Sequence, residues 1–100
     1  MEISNINSLK EKIVELDTIK YIRNAMASTE FTTWFTEVNR LLSIVCGDES
    51  YEVRYFRETT YAIYAYTMNS SDEQYEFNNI KSVNIIKKLL EEIIFDVDIS

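Results

Sequence analysis

A chain of 100 residues with no proline and one glycine, Gly47, has almost no backbone position at which a helix is forced to stop. Proline removes an amide donor, and glycine adopts positive φ without steric cost. Their scarcity favours long helices whose ends are set by side-chain caps. The glycine follows an apolar run and precedes Asp48-Glu49-Ser50, in the stretch WFTEVNRLLSIVCGDESYEVRYF. Phe31, Trp34, Phe35, Val38, Leu41, Leu42 and Val45 keep the i, i+3, i+4, i+7 spacing of a helix face, with Thr33, Glu37 and Arg40 off that stripe. Ser28-Thr29 offers N-cap hydroxyls and Glu30 a first-turn carboxylate, so the spacing predicts a helix that starts here and ends at Gly47 in a left-handed turn. Asp48-Glu49-Ser50 then supplies capping oxygens and negative charge for the start of the next helix, and the two helices meet as a hairpin.

On the N-terminal side, Ile6, Leu9, Ile13, Leu16, Ile19, Ile22 and Met26 predict one helix from about Asn5 to Ala27, with Asp17-Thr18 as a place where it can break. On the other side, Val53, Tyr55 and Phe56 suit a helix to about Arg57. Residues 58–69 are rich in Thr, Tyr and Ile with an alternating texture, which predicts an irregular or partly extended segment; a β-hairpin over 52–68 is the competing reading. Asn69-Ser70-Ser71-Asp72 is a turn cluster. The last helix follows it, with Tyr75, Phe77, Ile80, Val83, Ile86, Leu89 or Leu90, and Ile93 as its core stripe and Lys81, Lys87 and Lys88 pointing elsewhere. The expected fold is mainly α: a single domain over residues 1–100, built as a small bundle of three to four helices.

With 46% hydrophobic residues the chain can bury a core without staples. Cys46 has no partner for an internal disulfide, and the absence of histidine removes zinc-type spacings. The N-terminus lacks a signal-peptide pattern, and no apolar run approaches the roughly 18 residues a membrane span needs, so a soluble, cytoplasmic protein is expected. Net charge is −7, from 17 acidic and 10 basic residues. That balance disfavours direct binding to nucleic acid or to an anionic membrane and favours a protein partner. An acidic surface can also imitate nucleic acid and occupy a basic groove.

Without histidine there is no triad, and no G-x-G-x-x-G, P-loop or H-E-x-x-H motif occurs. The expectation is a non-enzyme with no metal or cofactor, in which Cys46 is a small core residue rather than a nucleophile. Glu91, Glu92, Asp96 and Asp98 crowd a helix C-terminus, where the macrodipole disfavours negative charge. They read as a solvated tail, a contact patch for a basic partner or a divalent-cation site. Tyr51, Tyr55, Tyr61, Tyr64 and Tyr66 are either a recognition surface or amphipathic cover for the bundle, and a homodimer is one way to bury them. The candidate partner-binding residues are therefore Tyr61, Tyr64, Tyr66, Glu91, Glu92 and Asp96; Trp34, Gly47, Ser50 and Phe56 are structural.

The run Phe31-x-x-Trp34, Val38-x-x-Leu41-Leu42-x-x-Val45-x-Gly47 and Ser50-x-x-Val53-x-x-Phe56, with Ile85-Ile86-x-x-Leu89-Leu90-Glu91-Glu92-Ile93, resembles a small helical accessory module of bacterial abortive-infection and TIR-like nucleotide-binding phage-defence proteins. The similarity covers roughly residues 28 to 95 and departs from the pattern where Asn78-Asn79 replaces a glycine near the start of the last helix. The resemblance implies a non-catalytic protein–protein interaction module whose partner is a defence effector, in anti-phage defence or its counter-defence. The alternatives are an acidic nucleic-acid mimic that inhibits a basic enzyme and, next, a helical protein of the bacteriocin-immunity kind.

Overall fold

Two serines fix where the central hairpin begins and restarts. In the computed structural model, which describes residues 3–99, Ser28 Oγ accepts from the Phe31 amide at 3.1 Å and Ser50 Oγ from the Val53 amide at 3.2 Å. Each bond satisfies one of the amides that a helix start leaves unpaired. The elements are α1 (Ile3–Ile19), a short 3-10 turn (Ala25–Ala27), α2 (Thr29–Cys46), α3 (Tyr51–Met68) and α4 (Tyr75–Ile99), with no strand among the described residues. Each helix packs against the next, and α4 closes the ring on α1. The result is a four-helix bundle measuring 44 × 23 × 21 Å.

Trp34 sits at the centre of the core, buried with Leu16, Leu42, Phe56, Ile86 and Leu90. Its ring lies 5.6 Å from Phe31 and 6.2 Å from Phe56, and its indole N–H donates to the Lys12 carbonyl on α1 at 2.7 Å. The largest side chain of the core is thus fixed in orientation by its one polar atom.

Four expectations are corrected. The N-terminal helix stops at Ile19 rather than running to Ala27. Tyr21 and Ile22 bond back three residues, to Thr18 and Ile19, and Asn24 takes a left-handed conformation (φ 56°, ψ 42°) that reverses the chain. Asparagine tolerates this region, so the reversal needs no glycine. Residues 58–69 are neither irregular nor a hairpin: α3 is continuous to Met68. Its buried stripe is Val53, Phe56, Thr60 and Thr67, with Ile63 packed beside it. Two of the inward positions are threonines, which hides the helical period from a hydrophobicity count. Phe77 is 62% exposed and leaves the expected core stripe of α4, where Asn79, Val83, Ile86 and Leu90 are fully buried instead. Gly47 has positive φ (99°), but ψ is 144°, outside the left-handed helical well.

Helix-to-helix ion pairs lie on the surface. Lys12 bridges Glu15 and, across to α2, Glu37, while Asp17 accepts from Lys87 of α4 at 2.9 Å. The hydrogen bond from Lys87, aided by the charges of Lys87 and Lys20, holds Asp17 below its ordinary 3.8. The bond and charge of Lys12 likewise hold Glu37 below 4.5. Burial opposes the charge on Lys12, but Glu37 and Glu15 outweigh it and raise that amine.

Two predictions follow from these joints. A Cβ at position 47 would meet no atom within 4 Å, so Gly47→Ala tests backbone strain alone; a loss of about 1–3 kcal/mol is expected in urea unfolding. Depressed carboxylates contribute stability that is present above their unfolded values and lost as pH falls through the folded ones. The melting temperature should therefore fall as pH drops through the carboxylate range, and more gently in Asp17→Asn/Glu37→Gln. Equal slopes would place the acid sensitivity elsewhere.

Candidate functional site

The continuous helix α3 decides where its tyrosines point. At about 100° per residue, Tyr61 and Tyr64 fall on the flank facing α2, whereas Tyr66 lies about 140° from Tyr61 and about 160° from Tyr64. All three are exposed, but they do not form one surface. Tyr61 meets Phe35 of α2 edge-on, with ring centroids 5.8 Å apart.

Between α2 and α3 these rings line a cleft of about 520 Å³. Phe31 and Phe35 form one wall, Tyr61 and Tyr64 the other, with Arg57 beside them. Phe31 and Phe35 are stacked at 6.3 Å. Thr60 and Asn39 also line the cleft, and both carry a buried oxygen without a partner. Thr60 is 2% exposed and its hydroxyl makes no hydrogen bond. The Asn39 amide nitrogen donates to the Phe35 carbonyl at 2.9 Å, leaving its oxygen without a donor. Buried polar atoms are normally paired, and these two are the buried side-chain oxygens left without a partner among the described residues. Arg57 is exposed and joins no ion pair among the described residues.

The carboxylates lie elsewhere. Glu91, Glu92 and Asp96 are exposed on α4 around Phe95. Glu92 and Asp96 also border a small depression with Tyr51 and Tyr55, whose rings stack at 5.4 Å. No group of three or more Asp, Glu, Cys or His side chains is placed to hold a metal ion among the described residues. Cys46, half-buried at the end of α2, has its thiol pushed up by burial and by Glu52, the reverse of what activates a nucleophile. No helix among the described residues is long and apolar enough to cross a membrane.

Phe35, Asn39, Arg57 and Thr60 were not candidates from sequence. Their signal was present: Arg57, Thr60, Tyr61 and Tyr64 keep helical i, i+3, i+4, i+7 spacing, and Phe31, Phe35 and Asn39 recur every fourth residue. It is readable only once 58–69 is known to be helix.

No family model, characterised protein or solved structure matches the chain. Of the residues on which the resemblance to phage-defence modules is read, Trp34 and Phe56 are core and Gly47 and Ser50 are turn and cap.

The orphaned hydroxyl gives a paired prediction. Thr60→Val removes a buried group that has no partner and should leave stability unchanged or raise it by up to about 1 kcal/mol. Thr67→Val should lower it by about 1 kcal/mol or more, because Thr67 Oγ1 bonds both the Ile63 carbonyl at 3.0 Å and Ser82 Oγ at 2.7 Å. Chemical denaturation of both variants checks the contrast.

Proposed function

We propose that this chain is a non-catalytic protein–protein interaction module that receives an anchor side chain of a partner protein in the α2/α3 cleft. The observation that carries the reading is the combination of aromatic walls with unpaired polar atoms beneath them. Interface hot spots are aromatic side chains seated in such pockets, and a partner ring that also brings an N–H or O–H would supply the donor Asn39 lacks. Tryptophan and tyrosine fit that description. Arg57, free of any ion pair among the described residues, suits a carboxylate flanking the anchor. The setting we propose is bacterial anti-phage defence or its counter-defence, with a defence effector as the partner, on the strength of the resemblance alone.

The test compares proteins retained by the wild type and by Tyr61→Ala/Tyr64→Ala from a phage-susceptible bacterial lysate, in low and high salt. Both side chains are exposed, so circular dichroism should show the fold unchanged. The expected result is a partner that survives high salt and is lost from the double variant, because an apolar anchor is little screened. Retention of the same proteins by both forms overturns the cleft. Capture of a nucleic-acid enzyme in low salt only would move the acidic mimic into first place.

A further inference from the structure

The outward face of α4 carries an order of charges that helix stability does not favour. Phe77 and Phe95, 62% and 63% exposed, are separated by about five full turns, so they lie on one line along the helix about 27 Å apart. On the same exposed stripe sit Lys81, Ile85 and Lys88, then Glu92 with Glu91 and Asp96 at its edges. Its N-terminal half is thus basic and its C-terminal half acidic. A helix dipole prefers the reverse, and the last turn of α4 contains no basic residue. Lys81 and Lys88 enter no ion pair among the described residues, whereas Lys87, one position away, turns to α1 and meets Asp17.

The geometry points to a second copy of this chain as the occupant of that face, with two α4 helices antiparallel about a two-fold axis near Ile86. A two-fold interface presents one patch to itself, so the patch must be self-complementary when reversed. This one is. Reversal about Ile86 sets Phe77 against Phe95 of the second copy, Lys81 against Glu91 and Glu92, and Asn84 against Lys88, and the symmetry repeats each contact. Ile85 falls close to the axis, and each Lys88 has Glu91 and Glu92 one turn on along its own helix. Glu91 and Glu92 thereby gain a basic partner drawn from the same sequence. The proposal uses no residue of the α2/α3 cleft, so Tyr61→Ala/Tyr64→Ala leaves the dimer intact and a charge reversal on α4 leaves cleft binding intact.

Sedimentation velocity of the wild type, Lys81→Glu, Glu92→Lys, the double variant and an equimolar mixture of the two single variants tests the arrangement. The wild type should dimerise, with dissociation favoured by salt. Each single reversal should raise the dissociation constant about tenfold or more, because the substituted charge enters the interface twice. Lys81→Glu/Glu92→Lys should recover dimerisation, and the two single variants mixed should form a heterodimer in which each contact between positions 81 and 92 is again between opposite charges. Circular dichroism of each variant keeps loss of fold from being read as loss of association. A wild type that sediments as a monomer up to about 1 mM overturns the proposal. So does a dimer indifferent to both reversals, which must use another face.

Discussion

Asn79 holds the bundle in register. Its side chain is fully buried near the start of α4, where its amide oxygen accepts from the Met26 amide at 2.7 Å and its nitrogen donates to the Tyr75 carbonyl at 2.9 Å. The backbone that leaves α1 is thereby fastened to α4, and the Asn24 amide adds a bond to the Glu76 carboxylate at 3.2 Å. Without Asn79 the Met26 amide would be buried and unpaired, a cost of about 1–3 kcal/mol. With it, the turn Ala25–Ala27 delivers Ser28 to the start of α2. Ser28 in turn orients the helix that carries Phe31 and Trp34, and Trp34 reaches back to Lys12. One satisfied amide in the turn therefore sets the position of the cleft wall carried by α2, the element that follows it.

The joints of the bundle are not alike. α1 is tied to α2 by the Trp34 indole and the Lys12–Glu37 pair, and to α4 by Asp17–Lys87 and Lys10–Asp98. α3 is tied to α4 by the buried Thr67–Ser82 hydroxyl pair. Between α2 and α3 the side chains described make no hydrogen bond or ion pair, and the joint rests on rings: Trp34 and Phe35 against Phe56, and Phe35 against Tyr61. Stacked rings slide more readily than paired hydroxyls separate, so the α2/α3 side is where local opening is least costly. The orphaned oxygens of Asn39 and Thr60 lie at that same joint. An apolar joint with unpaired acceptors beneath it is a place where a bound side chain adds contacts rather than replacing them.

How much of this was legible in the sequence depended on which residues took the inward positions. α2 was readable because its stripe is wholly apolar and its ends are marked by Ser28 and Gly47. The second half of α3 was not, since Thr60 and Thr67 occupy its inward positions and β-branched residues read as strand. The inward face of the first turns of α4 was mis-assigned for a related reason: an asparagine, Asn79, holds the core position, so Phe77 reads as inward in its stead. The end of α1 at Ile19 was marked only by the break allowed at Asp17-Thr18, because the reversal itself uses Asn24, which carries a weaker signal than glycine. The cleft inherited the error in α3. Tyr61 and Tyr64 were recognisable as candidates, but Phe35, Arg57 and Thr60 become their neighbours only when residues 58–68 are wound into a helix, and the same winding carries Tyr66 to the opposite flank.

The two proposed surfaces bear on one another through geometry. The cleft is built from α2, α3 and the turn before them, and no residue of α4 lines it. Pairing through α4 would therefore leave both clefts of a dimer open. Two such sites on one particle convert the second binding event into an intramolecular one wherever a partner displays two anchors, and avidity then exceeds the affinity of either site alone. A cleft whose unpaired polar atoms are few and whose walls are rings is suited to modest single-site affinity, and duplication by symmetry is the arrangement that makes modest affinity sufficient. The charge order along α4, unexplained by the helix that carries it, acquires a physical reason on the same footing: it fixes the direction in which two copies meet.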